Sequence, residues 1–317
     1  MSSMTTTTTP TPTPTTTTNW AVLKAADPLQ YYRQFLSKGL RPDGRTLLQR
    51  RHISIRAGAV TTANGSCLTK IGATSVLAAI KLEVSAPLNA TPTAGFLEVS
   101  VQLTPLCSPR FKVGKPSDEA FALQQHLQRI LVGGHVIDLE QLCIEEGKAV
   151  WNVKLDVLCL NHDGGCDDAA LLAAVGALKN LTLPRTITKV EDANQSSRGI
   201  IVEIDDNNNN NNKGAQNSST QLSIGGMPMP LTYGRFEGKW IVDPTAEEEE
   251  WMDSTVTVVV GGGERSSAGG DSGEEDRVYS VYKPGGASIP SDFIDEALAS
   301  ARNISMQAWK EMLAMDQ

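Results

Sequence analysis

"LDVLCLNHDGGCDDAALLAAVGALKNL", Leu155 to Leu181, decides how this chain folds. Its first half is a near-continuous apolar run bounded by turn residues, the mark of a buried strand, and Gly164-Gly165 supplies the backbone freedom of a tight turn. The Ala- and Leu-rich half that follows predicts a helix, closed before Pro184. A strand feeding through two glycines into a helix leaves free backbone N–H groups at the helix start, an arrangement that attracts phosphate. Yet the first helical turn carries Asp167 and Asp168. An acid there is favourable to the helix dipole by about 0.3–1 kcal/mol. The same charge opposes an incoming anion: at about 5 Å and an effective dielectric of about 20, each unit-charge pair costs about 3 kcal/mol. The stretch predicts a phosphate cradle closed to phosphate.

Outward from this stretch, the pattern is α+β. "DPLQYYRQFLSKGL" places Leu29, Tyr32, Phe35 and Leu36 at helical spacing, with Gly39 to end the helix. "RHISIRAGAV", "SCLTKIGATSVLAAIKLEV" and "GFLEVSVQLTPL" read as successive strands of a largely antiparallel sheet. Ser117 caps a helix that sets Phe121, Leu127, Ile130 and Leu131 on one side and ends near Gly133. "KAVWNVKLDVLCL" returns to strand, the segment from Gln221 to Val260 gives several short strands, and Phe293, Ala297 and Ala301 stripe a closing amphipathic helix. Strands and helices in this order describe a sheet covered by helices.

Low-complexity tracts divide the chain. The Thr/Pro-rich tract to about Trp20 lacks apolar side chains to offset its ordering entropy, and a tail of residues 1–26 is expected to be disordered. Residues 27–317 are expected to form one domain with polar loop insertions at about 191–220 and 261–277, since lengthening a surface loop costs little.

Composition excludes several classes. The 317 residues are 40% hydrophobic and 20% charged, ordinary for a globular protein, and no apolar run approaches the roughly 18 residues of a membrane span. The N-terminal tract has neither the basic nor the apolar region of a signal peptide, and five scattered cysteines without CxxC pairs suit reduced thiols, so a cytosolic or nuclear address is expected. A net charge of −8 and a pI near 5.1 argue against an autonomous nucleic-acid binder, which needs Lys and Arg to displace counterions. Aromatic content of 5% leaves few stacking platforms. Any RNA partner must be held with the help of other chains.

Chemistry-bearing constellations are sparse. His162-Asp163 lacks an H-x-x-x-H partner among His52, His126 and His135, so no metal is expected there. Glu247 to Glu250 reads as a solvated face rather than a cation site, and no G-x-S-x-G elbow is present. No cofactor is expected.

Five motifs occur in the order seen in RNase PH-like proteins: "RPDGR" (Arg41 to Arg45), "GATSVLAAI" (Gly72 to Ile80), "LDVLCLNHDGGCDDAAL" (Leu155 to Leu171), "VDPTAEEEEWMDSTVTV" (Val242 to Val258) and "KPGG" (Lys283 to Gly286). The chain resembles the non-catalytic class in the ring of the eukaryotic RNA exosome, over about Asp27 to Leu183 and Gln221 to Leu313. The resemblance implies an RNase PH-like (ribosomal protein S5 domain 2-like) fold of duplicated β-α-β-β units with mixed sheets covered by helices. Active members resemble "DGGTR" or "DGGSR" at the cradle, where the hydroxyl and the arginine hold the attacking phosphate; Cys166 and Asp167 stand there in this chain. Active members also carry an aspartate that assists the chemistry just before the strand matching "VTVVV". Thr255 falls at that position when Asp243 is aligned with the family's aspartate, and Asp253 lies close by.

The expectation is therefore a protein that is not an enzyme: a structural ring subunit for 3′-to-5′ RNA processing and decay, including rRNA maturation and mRNA turnover. The alternative is an active phosphorolytic exoribonuclease with a divergent site, or a scaffold outside the exosome. The implied partners are other RNase PH-like subunits (first as a heterodimer, then in a hexameric ring), cap proteins of the S1 and KH type, associated nuclease subunits, and RNA in the channel, with a nuclear, nucleolar and cytoplasmic address. Arg110, Lys112, Lys115 and Arg129 are the candidate RNA contacts by likeness to the channel-facing part of the family; as exposed charges they equally suit ordinary solvated roles.

Overall fold

The computed structural model describes residues 20–114, 116–184, 186–190, 200–204, 220–262 and 277–313. Contacts separate a first unit ending at Leu47 from a second beginning at Leu48. In the first, α1 (Trp20–Ala26) and α2 (Pro28–Ser37) are capped in sequence: Asp27 accepts from the Gln30 N–H at 2.9 Å, and Gly39 leaves the helix with φ of +75°. The composition reading runs its disordered tail to residue 26, but residues 20–26 are helical, with the Trp20 ring centroid 5.1 Å from that of Phe35. The "RPDGR" motif is a closed turn in which the Arg45 guanidinium meets the Asp43 carboxylate at 2.6 Å.

The second unit holds two sheets. The first comprises β1 (Ile53–Ala57), β2 (Gly65–Ile71), β3 (Thr74–Ser85), β4 (Phe96–Leu103), β5 (Cys143–Glu145) and β6 (Ala149–Asn161) in the order β1-β2-β3-β6-β4, with β5 on the start of β6. All its pairs are antiparallel except β4 with β6, which makes the sheet mixed. Along β3 the side chains alternate: Val76, Ala78 and Ile80 are buried, while Leu77 and Ala79 on the other face are half-exposed.

Between β4 and β5 lies α3 (Asp118–Gln128), whose cap Ser117 accepts from the Ala120 N–H at 3.1 Å. It runs into one π turn, Arg129–Gly133. Leu127, Ile130 and Leu131 are buried as predicted, but Phe121 is 60% exposed, and Leu123 takes the inward position. Four residues separate Leu123 from Leu127, one helical turn, whereas Phe121 falls away from that stripe.

After β6 comes α4 (Cys166–Lys179), then the short strands β7 (Thr182–Leu183), β8 (Thr186–Val190), β9 (Ile200–Ile204) and β10 (Thr220–Gln221). The second sheet is antiparallel throughout, in the order β12 (Lys239–Val242), β11 (Met227–Phe236), β13 (Ser254–Gly262), β14 (Val278–Tyr282). The closing helix α6 (Ser291–Leu313) lies on β11 and β13 with Phe293, Ala297 and Ala301 buried as the stripe predicts. The polar tracts at 191–199, 205–219 and 263–276 lie outside the described residues.

The centre is α4, which packs on β1, β2, β3 and β6 on one side and on β11 on the other. Every residue from Asp168 to Leu178 is buried, so this helix is apolar all round rather than amphipathic, as an enclosed helix must be. Small residues allow the close approach: a Cβ on Gly65 of β2 would lie 2.6 Å from the Ala177 carbonyl oxygen.

Candidate active site

The β6–α4 turn is built as the sequence implies. Gly164 and Gly165 both take positive φ, +73° and +60°, and a Cβ on Gly164 would collide with the carbonyl of Pro244. Thr74 at the start of β3 fastens the turn twice, its hydroxyl donating to the Gly164 carbonyl at 2.6 Å and accepting from the Asp163 N–H at 3.1 Å. Arg51 fastens it from the other side. Its guanidinium grips Asp243 bidentately, Nε to Oδ2 at 2.9 Å and NH2 to Oδ1 at 2.7 Å, while also donating to the carbonyls of Asp163 and Gly164. The guanidinium holds the buried Asp243 carboxyl below its ordinary pKa, even though burial acts in the opposite direction. The motif aspartate is thus a structural anchor for the turn.

The turn opens onto a cavity of about 490 Å³. Cys166, Asp167, Arg110 and Thr255 all line it, joined by His162, Glu119 and Glu249. Two expectations need correction. Asp168 is not in the cavity: it points into the core, accepting from the Thr232 hydroxyl at 2.7 Å and the Thr232 N–H at 3.1 Å, with Arg50 at 3.6 Å. Successive helical residues lie about 100° apart, which lets Asp167 line the cavity while Asp168 turns to Thr232.

The carboxylate that joins Asp167 at the turn is instead Glu249, and the acidic run is not simply a solvated face. Residues Ala246–Glu249 form a short helix, α5, with a capping box: Thr245 accepts from the Glu248 N–H, and Glu248 accepts from the Thr245 N–H at 2.9 Å. Glu248 is buried, and the Glu249 carboxylate accepts from the Gly165 N–H at 2.8 Å. A protein carboxylate therefore occupies the cradle's own donor. The capping signature T-x-x-E was legible in sequence. The contact of Glu249 with Gly165, across 84 residues, was not.

Burial, with the neighbouring charge of Asp168, pushes the Asp167 carboxyl up to about 7. Burial likewise pushes Glu249 up to about 7, against the pull of the Gly165 hydrogen bond and with the repulsion of Asp167 added. Each is then part-protonated at neutral pH, which softens the full-charge repulsion assumed from sequence. His162 is held below its usual range by burial and by the Arg110 charge, so it sits neutral in the wall.

On β13, Thr255 faces the cavity, whereas Asp253 turns away to accept from the Glu237 N–H at 2.9 Å. No carboxylate is therefore presented by β13 at the position where the resemblance places one. Of the four basic candidates, Arg110 reaches the cavity and pairs with Glu119. Lys112 and Arg129 are exposed away from the lining, and Lys115 lies outside the described residues.

Comparison with known proteins gives the fold and site a context. Residues 49–184 match the model of the 3′ exoribonuclease family, domain 1, and residues 226–304 that of domain 2 of the same family. The exosome complex component rrp43 of Schizosaccharomyces pombe is 32% identical over 230 residues, 73% of this chain and 79% of that one. The exosome complex component Rrp42 of Saccharolobus solfataricus is 33% identical over 275 residues, 87% of this chain and 89% of that one. Among solved structures, the Archaeoglobus fulgidus exosome with RNA bound to the active site aligns with a TM-score of 0.71 at 27% identity, over 89% of this chain and 96% of that one. An archaeal exosome core aligns with a TM-score of 0.69 at 24% identity, over 92% and 98% of the two chains.

Proposed function

This chain belongs to the 3′ exoribonuclease family as an RNase PH-like exosome ring subunit, and from that premise we propose that it is a non-catalytic member of the ring. One observation carries the reading: the Gly165 N–H at the head of α4, where an attacking phosphate would be received, is taken by the Glu249 carboxylate, with Asp167 beside it. Phosphorolysis needs an anion bound in the cradle and a group to assist the leaving oxygen. A carboxylate pair repels the first, and Thr255 does not titrate near neutral pH to supply the second.

In this reading the chain contributes its sheets and helices to a heterodimer with another RNase PH-like subunit and then to a hexameric ring. Cap proteins of the S1 and KH type sit above, RNA passes through the channel toward nuclease subunits, and the work is rRNA maturation and mRNA turnover in nucleus, nucleolus and cytoplasm. Arg110, Lys112, Lys115 and Arg129 form this chain's part of the RNA path, its acidic balance offset by the other subunits.

The test is a phosphorolysis assay on the purified chain and on the ring reconstituted around it. No phosphate-dependent release of nucleoside diphosphates from an RNA 3′ end is expected from the isolated chain. Activity that follows the chain through successive columns would overturn the reading in favour of a divergent active enzyme. Affinity purification of the tagged chain followed by mass spectrometry tests the ring and cap partners.

A further inference from the structure

The first sheet ends on β4. This strand pairs with β6 on one side, and among the described residues no strand pairs with it on the other. Helix α3 stands beside the open edge, and Gln128 closes only its beginning, donating from Nε2 to the Leu97 carbonyl at 2.8 Å. Backbone groups two residues apart in a strand point the same way, so the N–H and C=O of Val99 lie on that open side, and among the described residues neither has a partner there. A groove of about 460 Å³ runs along this edge and shares no residue with the cavity at the head of α4. Leu97 and Val99 line it although their side chains are buried in the core, so backbone is what they present to it.

We propose that this edge is a docking site for a short extended segment of a partner protein with Lys or Arg at alternate positions, paired through the Val99 backbone and setting its basic side chains against Glu98 and Asp156. The backbone selects an extended chain, because an added strand satisfies a free N–H and C=O on one residue together. Charge selects its side chains. Glu98 and Asp156 are exposed on the outer face of the sheet at the groove, while Lys154, the cation of the lining, is held by Glu83 at 2.6 Å. The two acids therefore carry the charge left over. Side chains of an added strand recur on that face every second residue, beside Glu98 and Ser100, and a Lys or Arg there extends over Ser100 toward its cross-strand neighbour Asp156. On the α3 side, Gln124 and Gln125 offer amide donors and acceptors to the same segment.

Other occupants fit this edge less well. A second copy pairing through its own β4 brings a second Glu98 and Asp156 to the same groove, and like charges facing each other across a strand pair are destabilising. A nucleic-acid strand meets the same carboxylates without the free cations it needs. The site stands apart from the ring reading, since it uses no residue of the cradle and holds whether or not α4 has lost its chemistry.

The probe is a fluorescein-labelled heptapeptide of alternating lysine and valine, titrated with the full chain at physiological salt and followed by anisotropy. Two controls share its length: one is methylated at every backbone amide, which keeps the charge but removes the donors, and one carries glutamate in place of lysine. The lysine peptide is expected to saturate the chain, and each control to bind at least about tenfold more weakly. Hydrogen exchange on the complex should show new protection at the Val99 amide. Glu98→Gln combined with Asp156→Asn should erase the preference for lysine over glutamate and leave the melting temperature unchanged, since both side chains are exposed. The absence of saturable binding, equal binding by the methylated peptide, protection elsewhere than β4, a preference that persists in the double variant, or a dimer that protects β4 without peptide would overturn the proposal. The peptides and the exchange on the unaltered chain decide it even if the double variant fails to fold.

Discussion

Asp167 and Glu249 retain protons that surface carboxylates would have lost, and this fixes the sign of their effect on stability. Each has a folded pKa of about 7 against an ordinary value near 4, so the folded state binds more protons than the unfolded one between those limits. Their contribution is fully present below the unfolded pKa and is lost as pH rises through about 7. Asp167→Asn removes that loss and should raise the melting temperature by about 2–5 °C at pH 8, with little change at pH 4. His126 acts in the opposite sense: buried beside Ser280 and stacked on Tyr282, it is pushed down to about 4, so its contribution falls away as pH drops below about 6.5. An equal shift for Asp167→Asn at both pH values would mean that the carboxyl is solvated. The same pair governs any attempt to reopen the cradle. Asp167→Arg alone should gain no measurable phosphate affinity, because the new guanidinium meets Glu249. Combined with Glu249→Gln, which frees the Gly165 N–H from an anion, it should bind phosphate detectably by isothermal titration, and turnover should still be absent with Thr255 in place. Phosphate binding by the single mutant would show that Glu249 does not hold the site.

At the scale of elements, the helices separate what a sequence reading can reach from what it cannot. Val76, Ala78 and Ile80, and the Phe293–Ala297–Ala301 stripe, were readable because alternation and helical spacing report burial directly. The split of Asp167 and Asp168 was readable in principle, since successive helical residues lie about 100° apart and a narrow cavity wall takes only one of them. Phe121 was misread because α3 buries a narrow stripe and aromatic character alone does not say on which side of it a residue falls. Leu172→Ala, inside α4, should cost about 2–5 kcal/mol because the cavity left between two sheets cannot collapse. Phe121→Ala should stay within about 0.5 kcal/mol. Chemical denaturation of both variants checks the contrast, and a large loss at Phe121 would mean that its exposed ring has a partner. The role of Glu249 had no local signal, because the approach of α5 to the head of α4 is set by the packing of the second sheet.

At the scale of the whole molecule, the net charge of −8 predicts that the isolated chain binds RNA weakly and with a shallow salt dependence, since few phosphates can be neutralised. Filter binding across a salt series checks this, and tight binding that persists at high salt would point to an RNA site that composition conceals. The family resemblance was legible because five short motifs are spread over nearly all of the folded chain, each at a turn or strand that the fold requires.

The enclosure of α4 bears on how this molecule opens. A helix held between two sheets exposes its amides only when both sheets release it, so neither half of the second unit has a cheap route to unfolding separately through this element. Deuterium should enter the edge strands β12 and β14 first and the interior of α4, from Ala169 to Ala177, last. The slowest of those amides should report the same opening free energy as denaturant unfolding of the unit, which makes α4 the place where its cooperativity can be read one residue at a time.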